Sequence, residues 1–228
     1  MAIRVAVFDA YGTLFDVAAA ARQAAKEPGQ EALARHWQAL AAHWRAKQLQ
    51  YTWLRAITGD HVDFWQVTQD GLDWAMEAVG LEGAEVRERL LALYWELAAY
   101  PEVPAMLAAL KDAGCETAIL SNGSPAMLEG AVRSAGVAES LDAILSVEDV
   151  GIFKPDRRVY DMVGTRFGTE PGEVLFVSSN GWDAAGAAAY GFRTVWVNRA
   201  GEPMDRLPGR PETVLDTLET IPDLVSRL

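Results

Sequence analysis

The chain of 228 residues has one cysteine, three histidines and four lysines, and its 20 basic residues are outnumbered by 32 acids. The formal charge is −12 and the pI is near 4.7. Each shortage excludes something. Cys115 cannot form an internal disulfide and cannot by itself build a thiolate metal site, which suits a reducing compartment and makes the cytoplasm the expected location. The first apolar run, Val5 to Phe8, is cut by Asp9 and is too short for a signal core or a membrane span, so neither export nor membrane partnership is expected. Without a broad basic surface the chain is not expected to bind nucleic acid or an anionic membrane, although a small anion can still be held locally. His36, His43 and His61 fall in one stretch away from every predicted strand end, which weakens Ser-His-Asp, Cys-His and histidine-metal proposals and leaves His36 and His43, seven residues apart on one helix, as solvated or capping residues. No P-loop, dinucleotide-binding glycine motif, zincin helix or hydrolase elbow is present.

What remains is a chain with half its residues hydrophobic and 23% charged, the composition of a soluble globular protein with a sizeable core. The segment Ile3-Arg4-Val5-Ala6-Val7-Phe8 is apolar and β-branched and runs into Asp9-Ala10-Tyr11-Gly12-Thr13, where Gly12 permits a turn, so it reads as a buried strand ending in a polar loop. The same grammar recurs at Thr117-Ala118-Ile119-Leu120, Ala143-Ile144-Leu145-Ser146, Val174-Leu175-Phe176-Val177 and Thr194-Val195-Trp196-Val197. Strands alternating with helical patterns predict right-handed crossovers, a Rossmann-like parallel sheet, and function at the carboxyl ends of its strands. Between the first two strands no strand pattern occurs. Leu33, Trp37, Leu40 and Trp44 follow helical spacing, continuing less regularly through Leu49 and Trp53 to Ile57, and six of the eight tryptophans lie in this insertion. The expected architecture is therefore an α/β core of residues 1–16 and 100–228 interrupted by a helical cap of residues 17–99.

Four polar clusters stand at predicted strand ends: Asp9 with Thr13; Ser121-Asn122-Gly123-Ser124; Lys154-Pro155-Asp156 with Tyr160; and Ser178-Ser179-Asn180 with Asp183. Solubility alone does not select these positions. The chemistry that fits them is nucleophilic catalysis by the Asp9 carboxylate, kept ionised by an ammonium close by, which gives Lys154 its task. The other lysines, Lys26, Lys47 and Lys111, lie in helical segments and are expected to face solvent, whereas Lys154 follows Gly-Ile-Phe and precedes proline. Taken singly, Lys154 reads equally well as a surface lysine beside a turn; its register with Asp9 favours the catalytic reading.

In this order, Phe8-Asp9-Ala10-Tyr11-Gly12-Thr13-Leu14, Ser121-Asn122-Gly123-Ser124-Pro125, Lys154-Pro155 and Ser178-Ser179-Asn180-Gly181-Trp182-Asp183 resemble the motifs of the haloacid dehalogenase superfamily. Within it the chain is similar to the L-2-haloacid dehalogenases, and the cap string Trp44-Arg45-Ala46-Lys47-Gln48-Leu49-Gln50-Tyr51-Thr52-Trp53-Leu54-Arg55 carries that resemblance into the insertion. It implies attack by Asp9 on C2 of an (S)-2-haloalkanoate, an aspartyl ester, and hydrolysis to an (R)-2-hydroxy acid with no metal or organic cofactor. It also implies the other roles. Ser121 with the N–H groups of Ala10 and Tyr11 binds the substrate carboxylate; Arg45 and Asn122 cradle the departing halide; Thr13, Ser178 and Asn180 position the Asp9 oxygens and the hydrolytic water. Asp183 orients Lys154 or helps to activate water, Tyr160 is the tyrosine six residues beyond that lysine, and Tyr11, Leu49, Phe64 and Trp182 form an apolar wall. Relatives suggest a homodimer through the cap helices.

Two substitutions separate this resemblance from the superfamily's phosphatases. Those enzymes place a second aspartate two residues after the nucleophile, where this chain has Tyr11, and an acid for magnesium where it has Ser179. A phosphatase or phosphonate hydrolase is the competing expectation. A catalytically silent interaction module has no physical need for Asp9, Lys154 and Asp183 together. Ala46 stands where a longer polar side chain is expected beside the arginine, and the cap start differs in length from the family, which bears on pocket size and substrate range.

Overall fold

The computed structural model describes residues 2–228. Six parallel strands form one sheet: β1 (Val5–Phe8), β2 (Glu116–Ser121), β3 (Ala143–Ser146), β4 (Val174–Ser178), β5 (Arg193–Val197) and β6 (Thr213–Leu215), in the spatial order β3-β2-β1-β4-β5-β6. All four residues of β1 are buried, as a strand covered on both faces requires. It pairs with β2 on one side and β4 on the other, Phe8 standing opposite Ile119 and Val177. The chain order reverses between β1 and β4, so their carboxyl ends open the crevice where ligands bind in such sheets. Helices α5 (Val103–Asp112), α6 (Pro125–Ser134), α7 (Arg157–Phe167), α8 (Gly181–Tyr190) and α9 (Ile221–Arg227) complete the α/β layers. Five of the strands lie where the apolar runs predict them. The sixth, β6, is three partly exposed residues just after Pro211, too short and too wet to carry a strand pattern.

Residues between β1 and β2 first fold as four helices: α1 (Ala19–Ala24), α2 (Glu31–Thr58), α3 (Phe64–Ala78) and α4 (Ala84–Trp95). The 28-residue α2 ends at Gly59, whose φ of +73° needs no Cβ; α3 starts at Asp63, which accepts the Gln66 N–H at 2.8 Å. Helix α2 packs on α3, and α1 on α4. The buried stripe of α2 begins as the hydrophobic spacing predicts, with Leu33, Leu40 and Trp44, but continues through Gln48 and Thr52 rather than Leu49 and Trp53. Steps of four keep those two polar residues on the Trp44 face. Gln48 is tolerated there because its amide reaches Thr68 Oγ1 at 2.9 Å and the Tyr94 hydroxyl at 3.1 Å. Ile57, at the end of the predicted stripe, is instead 81% exposed.

The two crossings between sheet and helical insertion lie side by side. Tyr100 N–H donates to Leu14 O at 2.9 Å, Asp16 N–H donates to Ala98 O at 3.0 Å, and Phe15 bridges Ala99 antiparallel. Among the described residues no helix is long and apolar enough to cross a membrane.

Candidate active site

Asp9 is the first residue beyond the central strand, and its N–H still donates to Val177 O at 2.9 Å, so the ladder itself fixes where the carboxylate starts. Asp9 is 6% exposed, and both carboxylate oxygens accept hydrogen bonds. Thr13 Oγ1 donates to Oδ2 at 2.9 Å, Asn180 Nδ2 donates to Oδ2 at 2.9 Å, and Lys154 Nζ donates to Oδ1 at 3.2 Å. The turn Ala10–Thr13 returns that hydroxyl beneath the carboxylate. Gly12 sits there at φ +92°, with Ser179 Oγ 3.1 Å from where a Cβ would project.

Lys154 is 1% exposed, and its ammonium lies between two carboxylates, also donating to Asp183 Oδ2 at 2.8 Å. Burial disfavours its charge, yet the attraction of Asp183 and Asp9 outweighs this and raises the pKa above the ordinary lysine value. Burial pushes the Asp183 carboxyl up against the pull of Lys154. Asp183 is steadied by the Tyr160 hydroxyl, which donates to Oδ1 at 2.9 Å, and by Ser178 Oγ, which donates to Oδ2 at 3.1 Å. Burial, then Asp183, pushes the Tyr160 phenol well up, so it keeps the proton it donates at neutral pH. Ser178 thus serves Asp183 and the Asn180 N–H, at 3.1 Å, rather than the Asp9 oxygens expected from sequence. As the last residue of β4 it lies level with the residue after Phe8, and its hydroxyl finds the α8 acid five residues later.

The remaining residues close around this pair. Asn122 Oδ1 accepts the Lys154 N–H at 2.9 Å, so this side chain seats the lysine as well as facing the site. Ser121 Oγ accepts the Gly123 N–H at 3.1 Å. Among the described residues no hydrogen bond engages the N–H of Ala10 or Tyr11. Arg45 reaches down from α2, its guanidinium donating to Asn180 Oδ1 at 2.9 Å and to Tyr11 O at 3.0 Å. Among the described residues it makes no direct ion pair, and Asn180 stands between it and Asp9.

The expected apolar wall divides in two. Tyr11 and Phe64 are buried with ring centroids 5.6 Å apart, Tyr11 stacking on Tyr94 at 5.8 Å. Burial, then Tyr94, raises the Tyr11 pKa well above its usual value. A Cβ on Gly123 would fall 2.6 Å from the Tyr11 ring, so glycine is required for that ring to lie there. Leu49 and Trp182 instead line, with Arg45, Asn180 and Arg199, a cleft of about 420 Å³ between α2 and the strand-end loops. Trp182 meets Trp53 of α2 edge to face at 5.4 Å.

Several participants escape a sequence reading. Arg199 lies two residues past β5, at a strand end where a polar pair, Asn198-Arg199, stands in plain view. His61 lies 3.0 Å from Glu148 Oε2, while Glu148 Oε1 accepts the Phe64 N–H at 3.3 Å, joining the α2–α3 loop to the loop after β3. His36 and His43 are exposed. Lys26 lies in a turn beyond α1, Lys47 sits 4.1 Å over the Trp74 ring, and Lys111 pairs with Asp142 at 2.6 Å.

Ser179 Oγ is 3.1 Å from Thr13 Oγ1, and its N–H donates to Thr13 Oγ1 at 2.8 Å. Because the single Thr13 proton goes to Asp9, Ser179 is the donor in that hydroxyl pair. The position therefore supplies a neutral group already committed to Thr13, and the donor set does not fit magnesium, which binds through carboxylates.

A model of the haloacid dehalogenase-like hydrolases matches residues 3–191. The chain is 45% identical to (S)-2-haloacid dehalogenase 1 of Pseudomonas sp. (strain CBS-3), over 99% of this chain and 98% of that one. It is 44% identical to (S)-2-haloacid dehalogenase 4A of Burkholderia cepacia, over 88% and 85% respectively. The structure of the L-2-haloacid dehalogenase of Xanthobacter autotrophicus with chloropropionic acid covalently bound superposes with a TM-score of 0.88, at 35% identity and 98% coverage of each chain.

Proposed function

The chain belongs to the haloacid dehalogenase-like hydrolases, and we propose that within them it acts as an (S)-2-haloacid dehalogenase, converting short (S)-2-haloalkanoic acids to (R)-2-hydroxy acids and halide. The observation that carries this is the division of labour on Asp9. Two donors hold Oδ2, while Oδ1 takes only the ammonium at 3.2 Å and keeps a lone pair for attack. Asp9 attacks C2 from the face opposite the halogen; the C–O bond forms as the carbon–halogen bond breaks, and the halide leaves with its electron pair. Water then adds to the ester carbonyl of Asp9, losing a proton as it does so, and the collapse returns the carboxylate and the hydroxy acid. One displacement at C2 gives one inversion.

The free N–H groups of Ala10 and Tyr11, with Ser121, suit the substrate carboxylate, since neutral donors bind an anion without quenching the nucleophile beside it. Arg45 and Asn122 stabilise the charge that develops on the halide. Tyr11, Phe64, Leu49 and Trp182 exclude bulk water and limit the alkyl chain. Asp183, held by Tyr160 and Ser178, sets the Lys154 ammonium and is the base available to the hydrolytic water, with Asn180 and Thr13 orienting the ester. In this reading residues 17–99 form the cap and residues 1–16 and 100–228 the catalytic core. Exposed Leu54 and Ile57 on α2 support a homodimer through the cap, which light scattering after gel filtration checks. The single reduced Cys115 supports a cytoplasmic setting.

The test is halide release from (S)-2-chloropropionate in EDTA, set against hydrolysis of p-nitrophenyl phosphate with magnesium. Turnover of the phosphate ester without halide release would sink the reading and revive the phosphatase. In a single turnover in ¹⁸O water the label is expected on Asp9 and not in the first product molecule; label in that product would mean direct attack by water on C2.

A further inference from the structure

Among the described residues Arg199 is a strand-end cation to which the proposed reaction assigns no task, and its surroundings are specific. It belongs to the core, two residues beyond β5. One guanidinium nitrogen donates to the carbonyl of Thr13 at 3.3 Å, another lies 2.7 Å from Glu102 Oε1, and the guanidinium carbon sits 3.9 Å over the Tyr100 ring. Thr13 closes the turn from which the chain leaves the core. Tyr100 and Glu102 are where it returns, and the two crossings are tied to each other through Leu14, Phe15, Asp16, Ala98 and Ala99. A single planar side chain therefore grips both passages at the point where they meet the sheet.

The chemical suitability is equally particular. Stacking on an aromatic face, a carboxylate contact and a carbonyl contact at once need a flat, multidentate cation, which arginine is and lysine is not. The ion pair with Glu102 also means that Arg199, unlike Arg45, is already neutralised, so it is a poor attractor for an anionic substrate even though it lines the same cleft. What it holds is the main chain of Thr13, and the hydroxyl of that same residue holds Asp9 Oδ2 at 2.9 Å.

Resting on the dehalogenase reading, we propose that Arg199 is a positioning residue: by clamping Thr13 to Tyr100 and Glu102 it keeps the Asp9 carboxylate aligned for attack at C2 however the helical insertion moves. Displacing a reacting group by about an ångström costs on the order of 10²-fold in rate, so the clamp is felt in the displacement step and little in substrate affinity.

The experiment measures kcat, KM and single-turnover halide release from (S)-2-chloropropionate for the wild type, R199A, R199K, E102Q, and R199A combined with T13V, with thermal midpoints alongside. Wild-type halide release establishes the underlying reaction; its absence would defeat the dehalogenase reading, not the clamp. Given that activity, R199A is expected to slow halide release by about 10- to 100-fold with KM within about threefold. R199K should recover only a small part of the loss. E102Q should slow the same step by about threefold or more. In the T13V background R199A should have little further effect, because the arginine acts through that residue. The proposal is overturned if folded R199A releases halide at the wild-type rate with only a lowered thermal midpoint. It is equally overturned if R199A raises KM at unchanged kcat, or if its effect adds in full to that of T13V. Should R199A not fold, R199K and E102Q carry the test, and wild-type rates in both would refute it.

Discussion

The site is assembled from two regions that hold their side chains by different means. On the sheet side, Asp9, Ser178 and Asn180 leave adjacent parallel strands, and Lys154 and Asp183 complete a dry network in which almost every polar atom has a partner. On the cap side, Arg45, Leu49 and Phe64 come from helices whose positions depend on packing against one another and on a few seams. These are the paired crossings at Phe15 and Ala99, the Glu148 contacts with His61 and Phe64, and the edge-to-face pair of Trp53 and Trp182. The nucleophile is placed by main-chain ladders that cannot shift without breaking the sheet. The helical residues Arg45, Leu49 and Phe64 rest on side-chain contacts that can be remodelled. Chemistry built on the first region is expected to tolerate little change, and specificity carried by the second to vary more readily.

The most severe break in the sheet side is Asp9→Asn, which removes the nucleophile; halide release should fall by at least about 10⁴-fold with the fold retained, as checked by steady-state kinetics and circular dichroism. Lys154→Met should abolish turnover and also unfold more easily. It leaves Asp9 and Asp183 as buried carboxylates facing each other without a cation, a loss on the order of 3–5 kcal/mol that urea unfolding at an unchanged slope would register. On the cap side, Arg45→Ala should cut kcat by about 10²- to 10³-fold while barely moving the thermal midpoint, since the arginine is half-buried and its removal frees only a carbonyl and an amide oxygen, with no charge left unpaired. Reversing an exposed acid, Glu129→Lys, should leave kcat/KM within about twofold at physiological salt, because distant surface charge is screened. An equal fall in stability for Lys154→Met and Arg45→Ala would erase the distinction between the two regions.

A gentler probe uses pH. The pKa of Lys154 is raised in the folded state, so the folded protein holds this proton more tightly than the unfolded chain. Its stabilisation is complete below the unfolded lysine value of about 10.4 and is lost as pH rises through the higher folded value. The buried phenols of Tyr11, Tyr94 and Tyr160, raised chiefly by burial, act in the same direction. Unfolding free energy should therefore show no loss from these groups between pH 7 and 9 and should fall above about pH 10, as a series of urea titrations would show. A decline already at pH 8 would mean that Lys154 is not held between two carboxylates.

Much of the sheet side is legible in the residues themselves. A parallel strand buried on both faces must be a short apolar run, and the polar residue that ends it must face the crevice, so Asp9, Asn122, Ser178 and Asn180 can be found by position alone. The cap side is less so. Helical spacing locates α2 but picks Leu49 and Trp53 for its buried stripe, where Gln48 and Thr52 lie instead, because a satisfied amide packs as an apolar residue does once Thr68 and Tyr94 supply partners. His61 has no local signal, since Glu148 is 87 residues away in sequence. Arg199 stands at a strand end and was open to discovery by the same rule that finds Asp9, but its three partners come from two distant crossings.

By itself the sequence determined the parallel α/β core and the helical insertion and pointed to Asp9 and Lys154 as neighbours at strand ends, because these follow from period, strand length and the chemistry permitted there. Only the tertiary structure decided that Asp9 Oδ2 takes two donors and Oδ1 only the ammonium, that Ser178 serves Asp183, and that Arg45 and Arg199, two arginines lining one cleft, differ in kind. Arg45 donates to a carbonyl and an amide oxygen, whereas Arg199 pairs with Glu102. That difference lies in distances between residues far apart along the chain, and charge acts through distance, which composition and periodicity do not encode.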